Sequence, residues 1–467
     1  MNQTGLSTPP LQQPMASSSA SATSTMVPPT IPNLNDPPHG SLDSIVLTIT
    51  SATNLVHLNT SLRNFGIRDG REGTLSKLLA DGQDPLDVLD IKTNTLGLLY
   101  ILSARLHTST SERPSDNYIK AFCREFSVDQ ARYAPDRVTL LARGIAQTPD
   151  GNQKSAVQPL FDLLTRYAPT LSYLTTIHSI FITACVSSRY FSAALPVLCH
   201  PITIIDTNLS ELHYNDNLIY HYAGGLAFAA LKRWSEAEEM FEICAASPGQ
   251  APAAIQLEAL KKMILVQLIH HGKTLPPPKY IHSALPRLLK GTPYTTFMNS
   301  YPQQRDQLRA IVEKEQQFFA AEKNLGLISQ ALERAPRWSI KKLTATYLTL
   351  HLSDIGQAIG IEDINAIRAL VLSMIETSEI SAQLSADGTV AFSDPPLTFE
   401  KADVDKALLH AQEQGALLAR LEKELARNKE YLTKAVKSKD DTAWGQPMDE
   451  DSVFPDRASG PWADEAF

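Results

Sequence analysis

The chain has 467 residues, 43% of them hydrophobic and 20% charged, and carries a formal net charge of −8 at pH 7. That length suits two or three domains with well-buried cores, and the negative balance argues against a general affinity for nucleic acid or anionic membranes. Apolar runs stop short of a membrane span, with Met263-Ile264-Leu265-Val266 giving way to Gln267.

The four cysteines, Cys123, Cys185, Cys199 and Cys244, are far apart and form no CxxC pair. Reduced thiols and a place in the cytoplasm and nucleus are the expectation. The first residues include no Lys or Arg and no apolar segment, so neither a secretory signal nor a transit peptide fits.

Residues 1–40 hold eight prolines, many Ser and Thr, and Asp36 as the only charge. Such a segment buries too little apolar surface to offset its ordering entropy and is expected to be disordered. From 41 to 338 helical patterns follow one another, clearest over 96–106, 160–167, 171–186, 191–198, 218–231 and 235–246. Pro and Gly are expected between these segments rather than within them, which makes the array all-α.

One pair is more specific. Gly225, Phe228, Ala237 and Phe241 have the small and large spacing of a tetratricopeptide-type hairpin, in which Gly and Ala admit close approach and the aromatics fill the gap. Arg189-Tyr190-Phe191 with Ala193-Ala194 reads as half of an earlier, degenerate repeat. Stacked hairpins give a helical-repeat solenoid, and an irregular bundle is the alternative. Further helices are expected over 260–269, 283–289, 303–319 and 325–332.

Residues 339–395 read as a winged helix. Ser353-Asp354 can cap a helix over 354–359 that Gly360 ends. Ile364, Ile367, Val371 and Met374 then share one helical face. After Glu376 the period changes: Ile380, Ala382 and Leu384 alternate with Glu379, Ser381 and Gln383 as in a half-buried strand. Asp387-Gly388 supplies a hairpin turn, and Val390 and Phe392 form the returning strand.

The second helix of a winged helix often enters the DNA major groove, so its charges are decisive. This one has Glu362, Asp363 and Glu376 about it with Arg368 as its only base, and the wing adds Glu379 and Asp387 without Lys or Arg. DNA reading is disfavoured. The basic group Arg334, Arg337, Lys341 and Lys342 with Trp338 lies on the approach helix, as a nucleic-acid surface or a solvated face. The wing segment Glu379, Ile380, Ser381, Ala382, Gln383 and Leu384 offers a strand edge for pairing with another chain.

A long helix is expected over about 401–437. Val404, Ala411, Leu418, Leu425 and Leu432 recur at intervals of seven, and Leu408 and Leu421 widen the stripe. Gly415 and Asn428 weaken that seam, which favours a multi-helix bundle over a continuous two-stranded coil. Residues 438–467 form an acidic tail, expected to be disordered.

The patterns of enzyme chemistry do not complete themselves. Gly272-Lys273-Thr274 resembles the end of a phosphate loop, but Gln267 stands where its first glycine belongs, so a helix ending at Gly272 is expected. The adjacent His270 and His271 should point in different directions, and His213 and His221 suit packing or surface roles. No catalytic residue, metal ligand, cofactor or small-molecule substrate is proposed from the residues.

Helical repeats running into LTATYLTLHLSDIGQAIGIEDINAIRALVLSMIETSEISAQLSADGTVAF resemble the PCI domain, shared by the proteasome lid, the signalosome and a translation initiation factor. Its marks are Met374-Ile375-Glu376, Glu379-Ile380, Asp387-Gly388 and Val390-x-Phe392. Across about 160–435, LIYHYAGGLAFAALKRWSEAEEMFE and LEALKKMILVQLI look like the third-subunit family of the COP-nine signalosome. The resemblance implies a non-catalytic scaffold that assembles with other PCI subunits through winged helices and a C-terminal helical bundle. The complex it implies removes a ubiquitin-like modifier from cullins by a metal site on another subunit. A proteasome-lid subunit and a nucleic-acid-binding winged-helix protein remain as alternatives. Ser378 departs from the family, which favours Gly there, so either a non-Gly residue sits left-handed or the turn is remodelled.

Overall fold

A run of β-branched and hydroxyl residues sets where helix begins near residue 175. A computed structural model of the chain describes residues 41–65, 72–107, 113–147, 153–303, 305–394 and 400–433. In it, Tyr173–Leu174 is a short strand, β1, pairing in parallel with β2, Ile204–Ile205. The helix expected over 171–186 therefore starts later, at Thr176–Ser187. Residues 1–40 and 434–467 lie outside the described residues, as do the expectations placed on them.

Contacts divide the chain into two compact units, Met1–Ala345 with Ser353–Leu370, and Thr346–Leu352 with Val371–Phe467. The first unit is built from α1 (Leu42–Ser51), α2 (Leu55–Arg63), α3 (Thr95–His107), α4 (Asp116–Glu125), α5 (Pro135–Ala146), α6 (Lys154–Tyr167), α7 (Thr176–Ser187), α8 (Tyr214–Ala230), α9 (Trp234–Ala246) and α10 (Ala254–His271). After these come α11 (Ala284–Lys290), α12 (Pro293–Ser300), α13 (Arg305–Lys314), α14 (Gln316–Ala321) and α15 (Leu325–Thr344). Neighbours pack in series: α3 on α5, α5 on α7, α7 on α8, α8 on α9, α9 on α10, and α10 on α15. Each hairpin hides its apolar face on the next, which is the logic of a helical-repeat array.

The tetratricopeptide-type pair is α8 and α9. Phe228, Ala237 and Phe241 are buried, and a Cβ on Gly225 would lie 2.6 Å from the Phe241 ring. Close approach therefore requires glycine here. The adjacent Gly224 faces Leu198 in the same way, at 2.9 Å.

Several expected boundaries shift. Pro159 and Pro336 lie inside α6 and α15 rather than between helices. Both rings are buried, as are Leu160 and Leu163 of α6 and Ala335 and Ile340 of α15, and burial of these helices outweighs the lost backbone hydrogen bond. Segment 303–319 breaks at Glu315 into α13 and α14. Segment 191–198 is a 3-10 turn, Phe191–Ala194, followed by the short helix Leu195–Leu198. Helix α15 runs unbroken to Thr344, through the boundary expected at 338/339.

The order that follows is β3 (Thr349–His351), α16 (Leu352–Ile359), α17 (Ile364–Glu376), β4 (Ala382–Leu384) and β5 (Thr389–Phe392). This is the order of a winged helix. Helix α16 starts two residues before the expected Asp354, which sits in its first turn instead of capping it. Gly360, at φ +70°, takes the left-handed conformation after it. Asp363 caps α17 by accepting the Asn365 N–H at 2.9 Å. The three strands form an antiparallel sheet in the order β3–β5–β4. Val390 and Phe392 of the sheet are buried, as are Leu352, Val371 and Met374 of the helices and Ile380 of the turn between. The last described helix is α18, Lys401–Leu425.

Candidate assembly surface

The wing is fixed by its turns. Helix α17 ends with Ser378 at φ +56°, so the left-handed alternative is the one taken. Its N–H donates to the Ile375 carbonyl at 3.0 Å and the Glu379 N–H to the Met374 carbonyl at 2.9 Å. This Schellman pair satisfies two terminal carbonyls and offsets part of a left-handed cost of about 1–2 kcal/mol. At the hairpin, the Gly388 N–H donates to the Ser385 carbonyl at 3.1 Å and the Ser385 N–H to the Thr389 carbonyl at 2.9 Å. Gly388 has φ +87°. The turn is thus a three-residue loop with a bulge, and only its glycine is left-handed. Hydrogen bonds from the Thr389 N–H and hydroxyl hold the Asp387 carboxyl below the usual range.

Strand β4 is an edge, paired on β5 alone among the described strands, through Ala382↔Phe392, Gln383↔Ala391 and Leu384↔Val390. The edge is shorter than the sequence suggests. Glu379 and Ile380 belong to the turn from α17, where both N–H groups donate to the Met374 carbonyl, so neither extends the strand. Ser381 lies beside the strand, with its hydroxyl 2.8 Å from that of Ser393. Strand β3 is the second edge of the same sheet, a feature the residue pattern did not single out because Thr349–His351 is so short.

Helix α18 presents the larger apolar surface. None of its residues is buried. Val404, Leu408, Ala411, Leu418, Leu421 and Leu425 all stand exposed at heptad-related positions, Leu418 by 61%. Leu432 does not belong to this helix. The helix stops at Leu425, and Asn428 Oδ1 accepts the N–H groups of Glu430 and Tyr431 at 3.0 and 3.1 Å, capping a new helical turn. An asparagine that satisfies the next turn's donors is the physical reason for the break. The expected end at 437 lies outside the described residues.

The other candidates turn inward or apart. Trp338 donates its indole N–H to the Ile269 carbonyl at 3.1 Å and lies against Gly272, where a Cβ would sit 2.4 Å from the ring. The indole locks the end of α10 to α15 and is not presented for stacking on bases. Gly272 ends α10 in the left-handed conformation, φ +71°, as expected. His270 and His271 do not diverge: their ring centroids are 4.4 Å apart. His271 Nε2 lies 2.8 Å from Glu238, and burial together with the His271 ring lowers the His270 pKa. Among the described residues no three His, Cys, Asp or Glu side chains gather within reach of one metal ion. His221 is buried against Tyr220, and His213 is exposed beside Asp216. Cys123, Cys185 and Cys244 are buried free thiols, the last two pushed up to about 12 by burial; Cys199 is exposed.

Comparison with known proteins agrees with this architecture. A family model described as COP9 signalosome complex subunit 3, N-terminal helical repeats, matches residues 66–285. The COP9 signalosome complex subunit 3 of Drosophila melanogaster is 28% identical over 392 residues, covering 77% of this chain and 87% of that protein. That of Dictyostelium discoideum is 30% identical over 321 residues, covering 66% of this chain and 76% of that protein. With a repeat array followed by a winged helix, and with 30% identity to a relative of which it covers 76%, the chain belongs to the COP9 signalosome complex subunit 3 family.

Proposed function

We propose that this signalosome subunit is a non-catalytic scaffold. It is held among sister PCI subunits by the β4 edge and by α18, within a complex that removes a ubiquitin-like modifier from cullins. Its place is the cytoplasm and nucleus. The observation that carries the reading is α18: twenty-five residues of helix with none buried and a heptad-related apolar seam in solvent. Fully burying one Leu side chain gains about 1.5–3 kcal/mol, so a seam of this kind has a strong drive to be covered.

The test is purification of the native complex from cells carrying Leu418→Glu, Leu421→Glu and Leu425→Glu together. Loss of the variant from the complex is expected, because each Glu must be desolvated inside the bundle. Unchanged incorporation contradicts the bundle role. Recovery with proteasome subunits in place of cullin-processing ones contradicts the choice of complex, and the isolated chain is expected to show no hydrolase activity of its own. Imaging of the tagged full chain tests the location, and confinement to a membrane compartment would rule it out.

A further inference from the structure

A terminal unit in a helical-repeat array needs a polar outer side, because no neighbour covers it. Yet α1 and α2 leave Leu47 61% exposed and Val56 59% exposed. Thr50, a turn on from Leu47, and Leu55, next to Val56, line a groove of about 310 Å³ between α1, α2 and the start of α3. Ile49, Ala52 and Leu58 extend its apolar side, Asn94 stands on its rim, and none of the residues lining it is charged. Gln130, also in the lining, is already engaged: it donates to the Thr93 carbonyl at 2.9 Å and accepts the Leu96 N–H at 3.0 Å. The half-buried side-chain amide of Asn94 has no partner among the described residues, which leaves the groove one donor and one acceptor.

The sequence before Ser41 has a face to match. Pro28, Ile31, Leu34 and Pro37 recur at every third position, and Thr30, Asn33, Asp36 and His39 recur in step with them. A polyproline II helix has three residues per turn, so it gathers the first set on one edge and the second on another. Pro28, Pro29, Pro32 and Pro37 arrive with φ already fixed, which lowers the entropy lost on docking. Such a segment is too poor in apolar residues to fold by itself, but one apolar edge is enough for a groove. Its reach fits as well. Ten residues of α1 rise about 15 Å. A polyproline II chain covers that distance in about five residues. A chain that turns back at 38–40 and runs beside α1 brings Leu34 level with Ile49, and Ile31 level with Leu55.

We infer that residues 28–37 dock as a polyproline II helix in the groove of α1, α2 and α3 of the same chain. Ile31 and Leu34 enter against Ile49, Leu55 and Leu58, the Asn94 amide bonds to the backbone of the segment, and the edge that carries Asp36 faces water. The chain thereby closes the leading end of its own array. The contact is internal to the chain, so it stands apart from the α18 bundle.

The experiment places a benzophenone amino acid at position 34, or at position 20 as a control, of the full chain in its purified complex. After irradiation the cross-linked peptides are sequenced. Cross-links from 34 to residues 49–58 or 93–97, in a product with the mass of one chain, are expected, with none from 20 to these residues. In parallel, hydrogen exchange is followed at the amides of 42–58. Ile31→Asp with Leu34→Asp should speed it by about threefold or more, while Thr30→Asp with Asn33→Asp, the same added charge on the polar edge, leaves it near that of the parent. All four substitutions lie outside the array, so folding of the array is expected in both variants. Cross-links from 34 to a sister subunit or to a second copy of the chain overturn the inference, because the groove segment then has another partner. Absence of cross-links from 34, equal cross-linking from 20, or equal exchange in the two variants also overturns it.

Discussion

Among the described residues, four helices end on a residue with φ between +55° and +59° that is not glycine: Arg189, Lys232, Lys323 and Ser378. Each is the turning point of a Schellman pair. The N–H groups of Tyr190, Arg233, Asn324 and Glu379 reach back to the carbonyls of Cys185, Phe228, Phe319 and Met374, each at 2.9 Å. The left-handed conformation costs a side chain about 1–2 kcal/mol, and glycine's greater freedom when unfolded returns about half of that. Lys232→Gly and Lys323→Gly should therefore each stabilise the protein by about 0.5–1 kcal/mol. A urea midpoint that rises confirms this, and one that falls refutes it. Arg and Lys carry no turn signal, so three of these positions were illegible in the sequence; Ser378 stood out only because its family prefers glycine.

A second residue-scale effect concerns His178. It is fully buried, and its Nδ1 accepts the Thr175 N–H at 3.1 Å at the start of α7, as Glu or Gln does in a capping box. Burial lowers its pKa from 6.5 to about 4. The stability it contributes is complete above 6.5 and is lost as pH falls towards 4, because there the unfolded chain binds a proton that the folded chain excludes. The full span amounts to about 3 kcal/mol. Denaturant midpoints should drop between pH 7 and pH 4.5, and His178→Gln, which keeps an acceptor without the titration, should drop less. Equal slopes for both proteins contradict this account.

At the scale of elements, the α14–α15 turn ties its neighbours together. Its flanking residues Glu322 and Asn324 straddle Lys323 and reach two buried lysines of α10: Glu322 lies 2.6 Å from Lys261, and Asn324 lies 2.5 Å from Lys262. Tyr294 on α12 closes the network, at 2.7 Å from Glu322 and 2.6 Å from Asn324. Burial lowers the Lys262 pKa; it also pulls on Lys261, whose bonds to Glu258 and Glu322 more than compensate. Asn324→Ala leaves a buried ammonium short of a partner and should destabilise the protein by about 3 kcal/mol. Gly225→Ala should cost about 1–3 kcal/mol by forcing Phe241 aside. Calorimetry of both variants checks these values, and melting temperatures at or above that of the parent contradict them.

The α8–α9 hairpin was legible because its small residues are required by contact. The two internal prolines were misjudged because burial of their surroundings, a long-range property, overrode a local rule. The end of α18 was foreshadowed by Asn428, although the heptad of leucines carried the expected helix past it.

At the scale of the molecule, the sequence signal was strongest where periodicity changes from helix to strand, between Glu376 and Ala382. That change, with Gly388 and the alternating Val390 and Phe392, marked the winged helix. The extent of the surfaces was less legible, because an edge strand and an exposed seam are defined by what fails to cover them. The chain's resemblance to subunit 3 relatives and the exposed α18 bear on the same central claim, that this chain works by assembling. Native mass spectrometry of the intact complex, purified through a tag on this chain, tests it most directly. The account predicts one copy of the chain in a multi-subunit signalosome assembly, with the Leu418, Leu421 and Leu425 glutamate variant absent from it. Recovery of the unaltered chain alone, or only with proteasome subunits, would contradict it.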